Sequence, residues 1–168
     1  MLLQKKGSSN VSLSSAKNKQ EFWFVFLIFG ITIGISRMID ENASLIALSN
    51  SDSTQKSKRF FQVTEVIGAF TTGVFISMFR YNFSPYVLLV LNSFLFVCAQ
   101  VLMFFISMSG LAHFVATSLS AYVAGAIFVL VGVIAHEDYG TNNLHKILGF
   151  QMTGAAIGIF VFDFLIFD

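Results

Sequence analysis

The sequence predicts an all-α fold, a polytopic membrane helix bundle of about five transmembrane helices. Three observations carry this reading. Of the 168 residues, 55% are hydrophobic and only 11% are charged, with 21 phenylalanines. A water-soluble domain carries charge on about a quarter of its residues, so most of this surface must face a solvent other than water, and a lipid bilayer is the simplest one. Five apolar stretches each approach the roughly 20 residues needed to cross a hydrocarbon core about 30 Å thick. No stretch alternates with period two, which argues against a transmembrane β-barrel.

Residues 1–20 read as a flexible, solvated polar arm, Ser-rich and carrying Lys5, Lys6, Lys17 and Lys19. Met1-Leu2-Leu3 is far too short for the apolar core of a signal peptide. A mitochondrial presequence is the rival reading, because no acid precedes Glu21, but the arm has lysine and no arginine. The organelle therefore stays open, the mitochondrial inner membrane included.

Residues 21–168 form the transmembrane domain, with helices expected at about 22–48, 60–79, 86–108, 112–135 and 144–167. In the first, Phe22 to Ser36 is strongly apolar, while Arg37, Asp40, Glu41 and Asn42 interrupt the remainder of the stretch. That helix should run long or break near Gly34. The connections are short: Ser49 to Arg59, Arg80 to Pro85, Ser109-Gly110, and His136 to Asn143. Short loops force antiparallel neighbours. Pro85, the only proline, should open a helix, where its missing N–H is no loss.

Lysine and arginine placement gives the orientation. With the N-terminus cytoplasmic, that side holds Lys5, Lys6, Lys17, Lys19, Arg80 and Lys146, against Lys56, Lys58 and Arg59 on the other. An odd number of spans then sends the C-terminus to the opposite side.

Charges inside the first span are the most informative feature, since each costs about 2.5–3.5 kcal/mol at a helix centre even on translocon scales. Arg37 precedes Asp40 by three residues and Glu41 by four, so it can pair with either acid on one face. A local ion pair near the membrane edge and a water-lined solute or proton path both account for them. Glu65, one turn into the second helix beside Gln62, Thr64, Thr71 and Thr72, is the better candidate for an inward-facing carboxylate. Asp163 lies near the end of the fifth stretch, within reach of interfacial water. Asn92 and Gln100 share a face of the third helix, suited to interhelical hydrogen bonds or to substrate contact.

Small residues recur at packing spacing: Gly30 and Gly34, Gly154 and Gly158 in GxxxG motifs, and Gly125 with Gly132 on one face of the fourth helix. Such glycines let backbones approach closely, and their expected role is helix packing. His136-Glu137-Asp138 lacks a second histidine at metalloprotease spacing, and His113 and His145 also fall at loops or helix ends. The single cysteine, Cys98, allows neither an internal disulfide nor a thiolate metal site. No metal, cofactor or catalytic constellation is expected, so an enzyme ranks last, and no basic aromatic face supports nucleic-acid binding. Asn10, Asn42 and Asn82 begin N-x-S sequons; the first and third fall on the cytoplasmic side, and Asn42 is too near the membrane for modification.

Taken in order, several motifs resemble the C-terminal half of a major facilitator superfamily transporter, in the nodulin-like and monocarboxylate-transporter-like branches. Glu21-Phe22-Trp23-Phe24-Val25-Phe26-Leu27 looks like the opening of that family's seventh helix, followed by the glycines and polar break of Gly30 to Asn42. Gly73 to Arg80 is similar to the turn between the eighth and ninth helices. Ala135-His136-Glu137-Asp138-Tyr139-Gly140, with Lys146 and Gly149, is similar to the loop between the tenth and eleventh. The resemblance covers about residues 21–168 and implies the same cytoplasmic N-terminus as the charge count. It implies that Asp40, Glu41 and Asn42 line the solute cavity, with Glu65 behind them. It also departs from the family: an N-terminal half and a twelfth helix are lacking, and the Gly73–Arg80 turn has no acidic residue. The implied function is partial secondary transport of a small solute, completed by a second membrane chain, itself or another. The alternative is a non-transporting accessory or assembly subunit of a larger membrane complex.

Overall fold

A computed structural model describes the backbone of residues 12–46, 51–79, 83–105 and 110–164, and the side chains of 12–41, 59–79, 83–104 and 114–164. The described residues are helical apart from short turns and contain no strand. The helices are α1 (Leu13–Ala16), α2 (Gln20–Ile46), α3 (Ser51–Phe79), α4 (Pro85–Phe105), α5 (Gly110–Tyr139) and α6 (Leu144–Phe164). Five of them, over Gln20–Glu41, Arg59–Phe79, Pro85–Phe104, Phe114–Tyr139 and Leu144–Phe164, are long and apolar enough to cross a membrane. Their outer faces are as apolar as their inner ones: Phe70 is 71% exposed, Phe94 68% and Phe104 79%. In water such surface would drive aggregation; against lipid tails it carries no penalty.

The elements differ from the sequence expectation at their ends. α2 runs unbroken through Gly34, because Gly30 and Gly34 are packed against α6 rather than exposed to solvent. α3 begins at Ser51, so the segment 51–59 is helix, not loop. Gln55, Lys56, Lys58 and Arg59 are good helix formers, and no Gly or Pro stops them. α5 continues past residue 135 through His136, Glu137 and Asp138, and ends where Gly140 takes a φ of 75° and bonds back to the His136 carbonyl at 3.2 Å. That left-handed position suits glycine, and the bond closes the helix.

Part of the polar arm is also ordered. Ser12 caps α1 by accepting from the Ser15 backbone N–H at 3.3 Å. Ala16 is fully buried with Phe22, Tyr139 and Ile147. The Trp23 indole N–H donates to the Lys17 carbonyl at 2.7 Å, and the Lys17 ammonium stands 4.2 Å from the Phe150 ring centre. Within the stretch expected as a flexible arm, residues 13–16 thus form a short helix: Leu13 and Ala16 cover an apolar patch where α2 and α6 begin and α5 ends.

α5 is the axis of the bundle. Its Val123, Ala124, Ile127, Leu130, Val131 and Ile134 are buried against Val25, Phe29 and Ile33 of α2, Leu89 and Phe96 of α4, and Ala155 of α6. Alanines at 116, 121, 124, 126 and 135 keep α5 slender enough to be surrounded.

Two glycine contacts set the spacing. α2 and α6 run parallel with their GxxxG motifs face to face: a Cβ on Gly30 would lie 2.7 Å from the Gly154 carbonyl oxygen, and one on Gly34 2.5 Å from the Gly158 carbonyl carbon. α3 and α5 also run parallel and touch at Gly68 and Gly125, where an added Cβ would collide with the carbonyls of Tyr122 and Glu65 respectively. Gly132 does not pack as expected. A Cβ there meets nothing within 4 Å, because α3 and α5 diverge beyond Gly125 and leave a cleft of about 380 Å³ lined by Gly73, Ser77, Gly132 and His136.

Substituting Gly158→Ala should therefore lower stability by about 1–3 kcal/mol, the usual range for overpacking. Gly132→Ala should change it by less than about 0.5 kcal/mol. Reversible unfolding of both variants in mixed detergent micelles would measure the contrast.

Candidate functional site

The charged residues of the first two spans converge. α2 and α3 are antiparallel neighbours, so residues near the C-terminal end of one span stand level with residues near the start of the next. The Arg37 Nη2 donates to Glu65 Oε1 at 3.1 Å, and Nη1 lies 3.9 Å from Asp40 Oδ2. The side chains of Arg37, Asp40 and Glu65 are 39%, 14% and 21% exposed. Ile39, Phe61 and Ala121 are buried beside them, with Ile35, Met38 and Met103 packed around.

The α3–α5 glycine contact sets this geometry. The Glu65 carbonyl rests where a side chain on Gly125 would be, so α3 lies flush on α5 while the Glu65 carboxylate reaches across to α2. One guanidinium and two carboxylates leave a net charge of −1 on a site within the membrane-spanning segments. Arg37 and Asp40 lie near the end of the span Gln20–Glu41 and Glu65 near the start of Arg59–Phe79, so each charge costs less than the roughly 2.5–3.5 kcal/mol of a span centre, and pairing lowers the cost further. Polar capacity remains unused: among the described residues, Asp40 Oδ1 and Ser36 Oγ are buried with no hydrogen-bond partner. The site therefore presents a carboxylate oxygen and a hydroxyl that a hydrogen-bond donor would satisfy.

Of the expected site residues, Arg37, Asp40 and Glu65 come together. Glu41 lies exposed at the next position on α2, and the Asn42 side chain lies outside the described residues. The interhelical pair is what sequence reasoning missed: the local Asp40 contact is the longer one, and Arg37's hydrogen bond goes to Glu65. Matching depth across two antiparallel spans joined by a short connection would have found it.

A second polar contact sits at the other end of the bundle. The Tyr86 hydroxyl, in the first turn of α4, donates to Asp138 Oδ2 in the last turn of α5. Asp138, expected in a loop, lies instead on a prolonged α5, and that placement brings it to Tyr86. Gln100 Nε2 donates to Ser120 Oγ at 2.9 Å, joining α4 to α5, whereas Asn92 Nδ2 donates to its own helix at the Leu88 carbonyl, also at 2.9 Å. Asp163 is half-buried in α6, His136 and His145 are exposed, and Cys98 is half-buried in α4. The His113 side chain and Arg80 lie outside the described residues. Among the described residues no three His, Cys, Asp or Glu side chains gather in a form that could hold a metal ion.

In a double-mutant cycle of Arg37→Gln and Glu65→Gln, the coupling energy should be about 1–2 kcal/mol, between the values of exposed and buried pairs. Asp40→Asn should cost about 0.5 kcal/mol, given the longer separation and the high-dielectric end of the span. Chemical unfolding in detergent would read all four variants. No family model, curated protein or solved structure matches this chain.

Proposed function

We propose that the chain is the five-helix portion of a major-facilitator-type secondary transporter for a small solute, working with further helices supplied from outside these residues. The observation that carries this reading is the Arg37–Glu65–Asp40 cluster. Intramembrane ionisable groups on two different helices are a costly arrangement, and their common use is a substrate, ion or proton path. The unpartnered Asp40 oxygen and Ser36 hydroxyl support that use, because a purely structural ion pair gains by satisfying such groups. The residue order that resembles the family, from Glu21 to Gly149, is consistent with it. Glu65 accepts the exchangeable partner in this reading, Arg37 balances the charge, and Asp40 offers the second carboxylate.

A specific observation favours the alternative of an accessory or assembly subunit. α5 fills the axis with Val123, Ile127, Leu130 and Ile134, so the described residues enclose no path of their own. A transporter of this type places its path between two halves, and the Arg37–Glu65 cluster would then face the second half.

The two readings are separable. Full-length protein purified in detergent should be stabilised by at least one member of a panel of small carboxylates and amines, by about 2.7 kcal/mol at a hundredfold excess over Kd. Glu65→Gln should abolish that shift while leaving the apo protein folded. Copurification with a fixed set of unrelated subunits, with no solute response, would instead establish the assembly role.

The proposed orientation has the N-terminus cytoplasmic and the C-terminus on the opposite face. An epitope at each end, probed with impermeant antibody on sealed vesicles, should be reached from opposite sides. Equal accessibility from one side would contradict five spans.

A further inference from the structure

α3 and α4 both pack on α5 but hardly touch one another. The gap between them is a cleft of about 490 Å³ near the middle of the spans Arg59–Phe79 and Pro85–Phe104, lined by Thr71, Thr72, Phe75, Leu91, Asn92 and Tyr122 with further leucine and phenylalanine. Its size lies within the range of about 300–1,000 Å³ typical of small-molecule sites, and an apolar wall with a few convergent polar groups is their usual make-up.

The polar groups can be accounted for one by one. Thr71 Oγ1 lies 2.8 Å from the Ile67 carbonyl and 3.2 Å from the Gly68 carbonyl, either of which can take its single proton. Its 2.9 Å contact with Tyr122 can be donated by either hydroxyl, and in both cases the Tyr122 oxygen keeps a lone pair free to accept. Asn92 uses one N–H on the Leu88 carbonyl and keeps a second N–H and its Oδ1. Thr72 is only 7% exposed, lines the cleft, and makes no hydrogen bond among the described residues. The cleft thus offers donors at Thr72 and Asn92 and acceptors at Asn92 and Tyr122. Among the described residues no charged side chain lines it, so a charged ligand group would be buried without compensation.

A hydroxyl both donates and accepts, and matches this set; a hydrocarbon would leave it unsatisfied at the centre of a membrane. We propose that the cleft binds a neutral membrane-soluble alcohol, of the sterol or long-chain isoprenoid kind, entering sideways from the lipid phase. Its hydroxyl is held among Thr72, Asn92 and Tyr122, and its hydrocarbon body lies along Phe75 and Leu91. The inference rests on the cleft's own groups and stands apart from the transport reading.

The test uses the full chain in phosphatidylcholine nanodiscs with two photoreactive probes, a diazirine cholesterol and a diazirine farnesol. Adducts mapped by mass spectrometry should concentrate at residues 71–75 and 91–95, and the better-labelling probe identifies the source. Unlabelled alcohol should compete about tenfold better than the matching hydrocarbon, and Thr72→Val with Asn92→Leu should weaken labelling about tenfold, as expected for two lost hydrogen bonds. Leu91→Trp, which fills the cleft and keeps its polar groups, should also remove labelling, and serves if the double variant fails to fold. Equal competition by hydrocarbon for both probes, or adducts spread evenly over the exposed Phe70 and Phe104, would overturn the proposal.

Discussion

The close approach of helix backbones at glycine is the constraint on which this structure depends. In lipid the outer faces of the helices gain nothing by leaving their solvent, so association must come from packing and interhelical hydrogen bonds. Gly30, Gly34, Gly154 and Gly158 bring α2 onto α6, and Gly68 with Gly125 brings α3 onto α5. With both contacts fixed, α5 is held at the axis and the remaining side chains have little choice of neighbour.

The charged cluster is a product of that geometry. Because α3 lies flush on α5 at Gly125, Glu65 stands level with Arg37 of the antiparallel α2, at 3.1 Å. Packing places the charges, and the charges in turn resist separation of α2 from α3. The contact between Tyr86 and Asp138 holds α4 to α5 in a similar way at the far end. Between these two polar contacts the largest buried cluster is hydrophobic, with Thr32, Thr72, Ser120 and Gln151 buried among the apolar side chains.

The same contacts explain where the bundle opens. Two parallel helices that cross closely at Gly68 and Gly125 must diverge away from the crossing, which produces the cleft at Gly73 and Gly132. α3 and α4 reach α5 from different sides and cannot also close on one another, which leaves the larger cleft lined by Thr72 and Asn92.

Residue order alone determined the helical class and the five spans, because apolar length is a one-dimensional property that burial in lipid reads directly. It also marked Arg37, Asp40 and Glu65 as costly. Among the glycines it singled out Gly30, Gly34, Gly125, Gly154 and Gly158, which do pack closely, but it took Gly132 for a contact and passed over Gly68. Local signals failed at the ends of helices, where α3 and α5 extend into polar sequence that no membrane needs but helix propensity permits. Only the tertiary structure decided that Arg37 turns to Glu65 across 28 residues and that Tyr86 meets Asp138 across 52. Those pairings depend on the crossing and rotation of whole helices, which arise from backbone contacts between segments far apart in the chain.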